Sequence, residues 1–174
     1  MIRKKLTAKK STSSNTTRLN KYIAHAGICS RREADMHISL GVVKVNNKVI
    51  TALGYQVKEG DVVHFDDKRI TPEKKAYVLL NKPKGFITTT RDEKGRKTVM
   101  DLIAKSTPSR VVPVGRLDRP TTGLLLFTND GDLAKKLTHP SSAVKKLYHV
   151  VLSKSLKPHD LAQIRRGLTL DDGP

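Results

Sequence analysis

Tryptophan is absent from the 174 residues, cysteine occurs once, and aromatic side chains amount to four tyrosines and three phenylalanines. The single Cys29 excludes an intrachain disulfide framework and any cysteine-rich zinc site, and it fits a reduced, cytoplasmic setting. With so few aromatics, stacking on nucleobases would have to rest on a handful of Tyr, Phe, His or Arg side chains. Acidic residues are scarce too: 16 Asp and Glu stand against 34 Lys and Arg, a formal charge of +18. No apolar run is long enough to cross a bilayer, and the basic start runs into Ser, Thr and Asn rather than the apolar stretch of a secretion signal. Neither export nor membrane embedding is expected.

What is present is positive charge, beyond what solubility requires and in the range of proteins that meet a polyanion. Up to Lys75 there are 16 basic and 7 acidic residues, and beyond it 18 and 9, so each part carries +9 and both are expected to face nucleic acid. The length suits one ordinary domain or two small ones.

Residues 1–17 combine five basic side chains with hydroxyls and almost nothing to bury, which predicts a flexible basic tail. From Arg18 onward, Leu19, Tyr22, Ile23 and Ala26 follow one helical face and Gly27 supplies a stop. In "SRREADMHISLG", Ser30 and Glu33 form the pattern of a capping box, and Gly41 ends a second helix. Arg31 and Arg32 in its first turn oppose the macrodipole, a local cost that a docked phosphate would remove. "VVKVNNKVI" predicts a hairpin turning at Asn46 and Asn47, and "GDVVHF" a further strand. Residues 18–66 thus read as one compact module, and 67–75, polar and containing Pro72, as a linker.

A second domain is expected over 76–174. "AYVLL" reads as a strand entering "NKPKGFITTT", where Pro83 and Gly85 impose a turn; "RDEKGRKTVMDLI" follows as a polar loop closing on a short helix. A strand over 111–114 leads into "GRLDRPTTG", then come the strand "LLLFT", with 124–127 as core, and a helix over 132–138 cut by His139 and Pro140. "KKLYHVVL" predicts another strand, and "KPHDLAQIRRGL" a helix framed by Pro158 and Gly167. No internal repeat is evident.

Asp118 is the conspicuous residue, a lone carboxylate between Arg116 and Arg119 in a loop between apolar strands. Desolvation would raise its pKa unless cations or backbone N–H groups hold it down. On these grounds it is a nucleophile, a general base, a metal ligand or one half of a structural salt bridge. The metal is disfavoured because no second Asp, Glu or His follows at ligand spacing in the loop. Asp130 and Asp132 belong to a turn and a helix start, and His139 reads as a helix-ending residue rather than a base.

"RLNKYIAHAGICSRREADMHISLGVVKVNNKVI" resembles the S4 RNA-binding domain throughout. That resemblance implies an RNA-facing surface lined by Arg18, Lys21, Arg31 and Arg32, with Lys44 and Lys48 at its margin. "NKPKG", "VGRLDRPTTGLLLFTNDGDLAKKLTHP" and "KKLYHV" resemble, in order and spacing, the S4-containing bacterial ribosomal-RNA pseudouridine synthases related to ribosomal small subunit pseudouridine synthase A.

The resemblance implies an α+β fold: a small S4 domain joined to part of a mixed, mainly antiparallel synthase sheet. It implies Asp118 as the catalytic residue and Tyr148 as the aromatic that packs on the target uracil; because the target uridine must be flipped out, a basic side chain is expected to hold the opened RNA, and Arg116 is the candidate. Arg119 and Lys82 join the RNA-contacting set, Lys82 and Pro83 shaping a neighbouring loop. The implied reaction turns uridine of ribosomal RNA, large-subunit RNA before small, into pseudouridine without a cofactor.

The family's catalytic domain continues past "LDDGP" into a basic element that pairs with the aspartate and completes the sheet. The expectation is therefore of a synthase lacking that part, with unpaired strand edges and a less supported carboxylate. An RNA-binding protein or fragment that does no chemistry is the alternative.

Overall fold

The computed structural model describes residues 16–169, so residues 1–15 of the expected tail lie outside the described residues. The chain divides into two units, Met1–Ser142 and Ala143–Pro174.

The first module begins one residue before the expected start, since Thr17 already belongs to β1 (Thr17–Arg18). α1 (Leu19–His25) buries Leu19, Asn20 and Ile23 at helical spacing, and Gly27 follows with φ +76°, a left-handed conformation suited to glycine. α2 (Arg31–Ser39) starts on the capping box: Glu33 N–H donates to Ser30 Oγ at 3.3 Å, and Ser30 N–H donates to Glu33 Oε2 at 2.8 Å. β2 (Val43–Val45) and β3 (Lys48–Val49) pair through Asn46 and Asn47, with φ of +49° and +65° as a type I′ turn requires. β4 (Gln56–Val57) pairs with β1, and β5 (Val63–Phe65) with β2.

The linker expected over 67–75 is corrected in its first half. Lys68–Ile70 forms β6, antiparallel to β5, making a four-stranded sheet of order β3-β2-β5-β6. Asp66 and Asp67, with φ of +48° and +58°, make the turn, and Ile70 closes the module's core beside Val43, Val45 and Val63. One buried side chain in an otherwise charged strand is too little for apolar periodicity to register.

The rest of the first unit is built on three antiparallel strands, β7 (Tyr77–Lys82), β8 (Val112–Val114) and β9 (Gly123–Thr128), in the order β7-β9-β8. A single parallel bridge, Ile87 to Thr98, lies outside them. The class is α+β, as the sequence implies. α3 (Val99–Ile103) buries Val99 and Ile103 against Val111, Leu125 and Phe127. The 124–127 run is core on one face only: Leu125 and Phe127 are buried, whereas Leu124 is 72% exposed. Successive residues of a strand face opposite sides, and the described residues leave the other side, with Leu79 and Tyr77, open.

α4 (Gly131–Thr138) is capped by Asp130, whose side chain accepts from Leu133 N–H, and ends at His139. A 3-10 turn, Pro140–Ser142, closes the unit. The two modules of this unit meet through polar contacts. Lys21 Nζ donates to both Asp132 carboxylate oxygens at 2.7 and 2.9 Å, and Glu73 N–H donates to the His25 carbonyl at 2.8 Å. Asn129 ties down the connecting segment, accepting from Ala76 N–H at 2.8 Å and donating to the Lys74 carbonyl at 2.9 Å.

In the second unit, the strand expected at "KKLYHVVL" is absent; residues 143–152 are exposed and unpaired, Leu147 fully so. An extended segment becomes a strand only when a neighbour accepts its N–H groups, and no described segment pairs with this one. α5 (Pro158–Arg166) forms as expected, with proline at its start and Gly167 beyond its end at φ +96°.

Asp130 gives this fold an acid-sensitive point. The Lys75 ammonium at 2.7 Å, then the Leu133 N–H, hold its pKa down to about 2 from an ordinary 3.8. A depressed folded-state pKa stabilises fully above the unfolded value and loses that contribution as pH falls toward the folded one. Between about pH 4 and about pH 2, the wild type should therefore lose stability more steeply than Asp130→Asn, which keeps a capping oxygen but has no charge to titrate. Urea midpoints across this range measure it, and parallel curves would remove Asp130 from the acid response.

Candidate functional site

Asp118 sits in the loop between β8 and β9. The chain turns out of β8 at Gly115, φ +80°, where a side chain would be strained. It re-enters the sheet at Gly123, which pairs with Lys82 at the end of β7. That register puts Lys82 on the same face of β7 as Val78 and Leu80, with the Asp118 loop beside it.

Lys82 is completely buried. Its Nζ donates to the carbonyls of Asp118 at 2.9 Å and Thr121 at 2.8 Å, with longer contacts to Pro83 at 3.2 Å and Arg119 at 3.4 Å. An ammonium has three protons, so these four acceptors use them all. Burial pushes the Lys82 pKa down, and the negative charge of Asp118 opposes that shift.

The expectation that Lys82 contacts RNA is thus corrected, because a side chain without exposed surface cannot reach a phosphate. It belongs to the internal support of the loop instead.

The same loop is held at two further points. Thr88 Oγ1 donates to the Leu117 carbonyl at 2.7 Å and accepts from the Leu117 N–H at 3.2 Å. Gly85 N–H donates to the Arg119 carbonyl at 2.9 Å, and Arg119 Nε returns a bond to the Gly85 carbonyl at 3.3 Å. Leu117 packs against the core below. The main chain on each side of Asp118 is therefore fixed, while the residue itself stays exposed.

Among the described residues, neither Arg116 nor Arg119 forms an ion pair with the Asp118 carboxylate. The structural salt bridge, one of the four readings of Asp118, is not formed here. The loop is organised through its backbone, leaving a carboxylate free to meet a ligand. Arg116 is exposed nearby in sequence.

Thr88 carries no signal in the sequence that separates it from Thr89 and Thr90. Tyr148 lies in the second unit, where it is 61% exposed.

In the first module, Arg31 and Arg32 are exposed at the start of α2, and Arg31 donates to Asn20 Oδ1 at 3.3 Å. Asn20 in turn donates to Asp35 Oδ2 at 2.9 Å, linking α1 to α2. Burial, then the positive charge of Lys21, with a smaller contribution from Arg31, lowers the His25 pKa. Lys21, His25 and Arg31 are thus electrostatic neighbours. Arg18 and Lys48 are exposed, whereas Lys44 is paired with Asp67 and Lys21 with Asp132.

A family described as RNA pseudouridylate synthase matches residues 76–170, and the S4 domain matches residues 17–63. Ribosomal large subunit pseudouridine synthase B of Bacillus subtilis is 46% identical over 157 residues, covering 90% of this chain and 64% of its own length. An uncharacterized RNA pseudouridine synthase of Aquifex aeolicus is 43% identical over 158 residues, covering 90% and 63% respectively. Ribosomal large subunit pseudouridine synthase B of Xylella fastidiosa is 41% identical over 165 residues, covering 90% and 34%. The chain thus spans less than two thirds of the length of these relatives.

Substituting Lys82 by methionine, similar in length but without donors, should free the loop. The Lys82→Met protein is expected to be destabilised by about 1–3 kcal/mol, the usual cost of buried acceptors left unpaired. Amide hydrogen exchange at Leu117 and Thr121 should accelerate with it, and unchanged exchange would show that the ammonium does not hold the loop.

Proposed function

Because the chain belongs to the RNA pseudouridylate synthase family, with an S4 domain ahead of the synthase domain, we propose that it converts a specific uridine of ribosomal RNA to pseudouridine, in large-subunit RNA before small. The observation that carries this reading is the exposed Asp118 carboxylate on a main chain clamped by Lys82, Thr88 and Gly85. Preorganisation of this kind keeps a reacting group in place without spending its own charge on internal contacts.

The reaction breaks the bond from uracil N1 to the ribose C1′, turns the base over and joins C1′ to C5, whose proton is then lost while N1 takes one up. No redox change or group transfer to a second molecule occurs, and no cofactor takes part. Asp118 has two chemically distinct roles open to it: nucleophile on C1′, or base on the ribose 2′ position. A stacked uridine hides its sugar carbon, so the target must be flipped out. Arg116 is assigned to holding the opened RNA, Tyr148 to packing on the uracil, and Arg119 to a lesser contact. The S4 module supplies docking through Arg18, Lys21, Arg31, Arg32 and Lys48. Lys44 and Lys21 contribute less, being already paired with Asp67 and Asp132 respectively. Ribosomal RNA as partner and the lone Cys29 both fit the cytoplasm.

A second reading, an RNA-binding protein without chemistry, draws on the exposed and unpaired segment that carries Tyr148. Tritium release from ribosomal RNA labelled at C5 of uridine separates the two. Release by the wild type, cut more than about 100-fold in Asp118→Asn with RNA binding retained, is the expected result. Turnover retained in the variant would overturn the role of Asp118, and no release by either protein with salt-sensitive binding intact would favour the second reading.

Docking has its own test. Arg31→Ala/Arg32→Ala should weaken RNA binding and reduce the slope of log affinity against log salt, by about 0.7–0.9 for each phosphate that is no longer neutralised. An unchanged slope would take both residues off the RNA surface.

A further inference from the structure

The second half of α4 and the 3-10 turn after it enclose a cleft of about 270 Å³, lined by Asp132, Lys135, Lys136, His139, Ser141 and Ser142. None of these residues belongs to the Asp118 loop. That volume has room for an anionic group with part of its hydration.

The donor chemistry is one-sided. Lys135 and Lys136 are exposed cations in the last turn. The Ser141 N–H donates to His139 Nδ1 at 3.2 Å and Ser141 Oγ lies 2.6 Å from the same nitrogen, so the ring is held to the turn through Nδ1 while its Nε2 makes no hydrogen bond among the described residues. The lone acid, Asp132, would repel an anion if it were unpaired, but Lys21 of the first module grips both of its oxygens. Among the described residues the cleft therefore presents two cations outside any ion pair, an imidazole and the Ser142 hydroxyl. Lys21 makes it adjoin the very helix through which the first module is assigned to RNA.

We propose that this cleft is a subsite for a phosphodiester group of the RNA backbone, held by Lys135, Lys136 and His139. It extends the docking surface from α1 across the Lys21–Asp132 pair onto the synthase domain. The proposal rests on the reading of this protein as RNA-binding. Phosphate contacts of this kind set register and orientation rather than sequence choice, so the subsite helps decide how the docked RNA is presented and leaves target choice to other contacts.

Lysines in the last turn of a helix also complement its dipole, and the experiment must separate that role from RNA contact. The full chain, Lys135→Ala/Lys136→Ala and the charge-preserving Lys135→Arg/Lys136→Arg are compared by equilibrium binding to a large-subunit ribosomal RNA transcript over a salt series, beside thermal unfolding. With one phosphate fewer neutralised, the alanine variant should bind several-fold more weakly, with its salt slope reduced by about 0.7–0.9, and the arginine variant should bind as the wild type does. An alanine variant with a lower melting temperature but an unchanged salt slope would overturn the subsite and leave the lysines to the helix end. Failure of the wild type itself to bind the transcript at low salt would overturn the RNA reading, and the subsite with it.

Discussion

A single ammonium group, Lys82 Nζ, sits where the synthase domain most needs order. It is buried without a carboxylate at bonding distance, and the main-chain oxygens of Asp118 and Thr121 take its protons at 2.9 and 2.8 Å. Burial of a charge is costly unless polar groups satisfy it, so the β7 end and the Asp118 loop constrain each other. The loop carbonyls face inward to meet Nζ. Gly85 and Thr88, close along the chain from Lys82, fasten the same loop from a second direction. The result is a carboxylate whose position is set by groups that leave its own oxygens uncommitted.

The contacts between the two modules of the first unit are of another character. Among the described residues the hydrogen bonds and ion pairs there are few: one ion pair between Lys21 and Asp132, one backbone bond from Glu73 to His25, and the Asn129 side chain binding the connecting residues. Each module keeps its own apolar core, Leu19, Ile23 and Val43 in one and Val99, Leu125 and Phe127 in the other. Interfaces of this polarity resemble transient contacts more than fused cores. A cationic side chain at the junction, such as Lys21, therefore serves both the interdomain contact and the electrostatic surface.

Much of this was legible from residue order because the signals were local. The Ser30–Glu33 capping box, the Asn46–Asn47 turn, and the Pro158 and Gly167 bounds of α5 each depend on backbone chemistry within a few residues, and each stands in the structure. Signals that depend on a distant partner were not legible. β6 looks like a linker until β5 supplies its ladder and the core takes Ile70. "KKLYHVVL" has strand-like composition but no described partner. Lys82 reads as a surface cation because lysine nearly always is one; only the register with Gly123, far along the chain, reveals that it is enclosed. At the candidate site, the position of Asp118 in a loop between two apolar strands was legible, whereas Thr88 became visible only once the loops were folded together.

Complete enclosure also sets Lys82 apart chemically. A lowered pKa makes an amine more nucleophilic at neutral pH, yet burial denies reagents access to it. Acylating reagents should mark the surface lysines first and reach this one only when the Asp118 loop lifts. Its labelling rate, read from a single peptide by mass spectrometry, is then a clock for the opening of the loop and turns a structural lysine into a built-in reporter of motion beside Asp118.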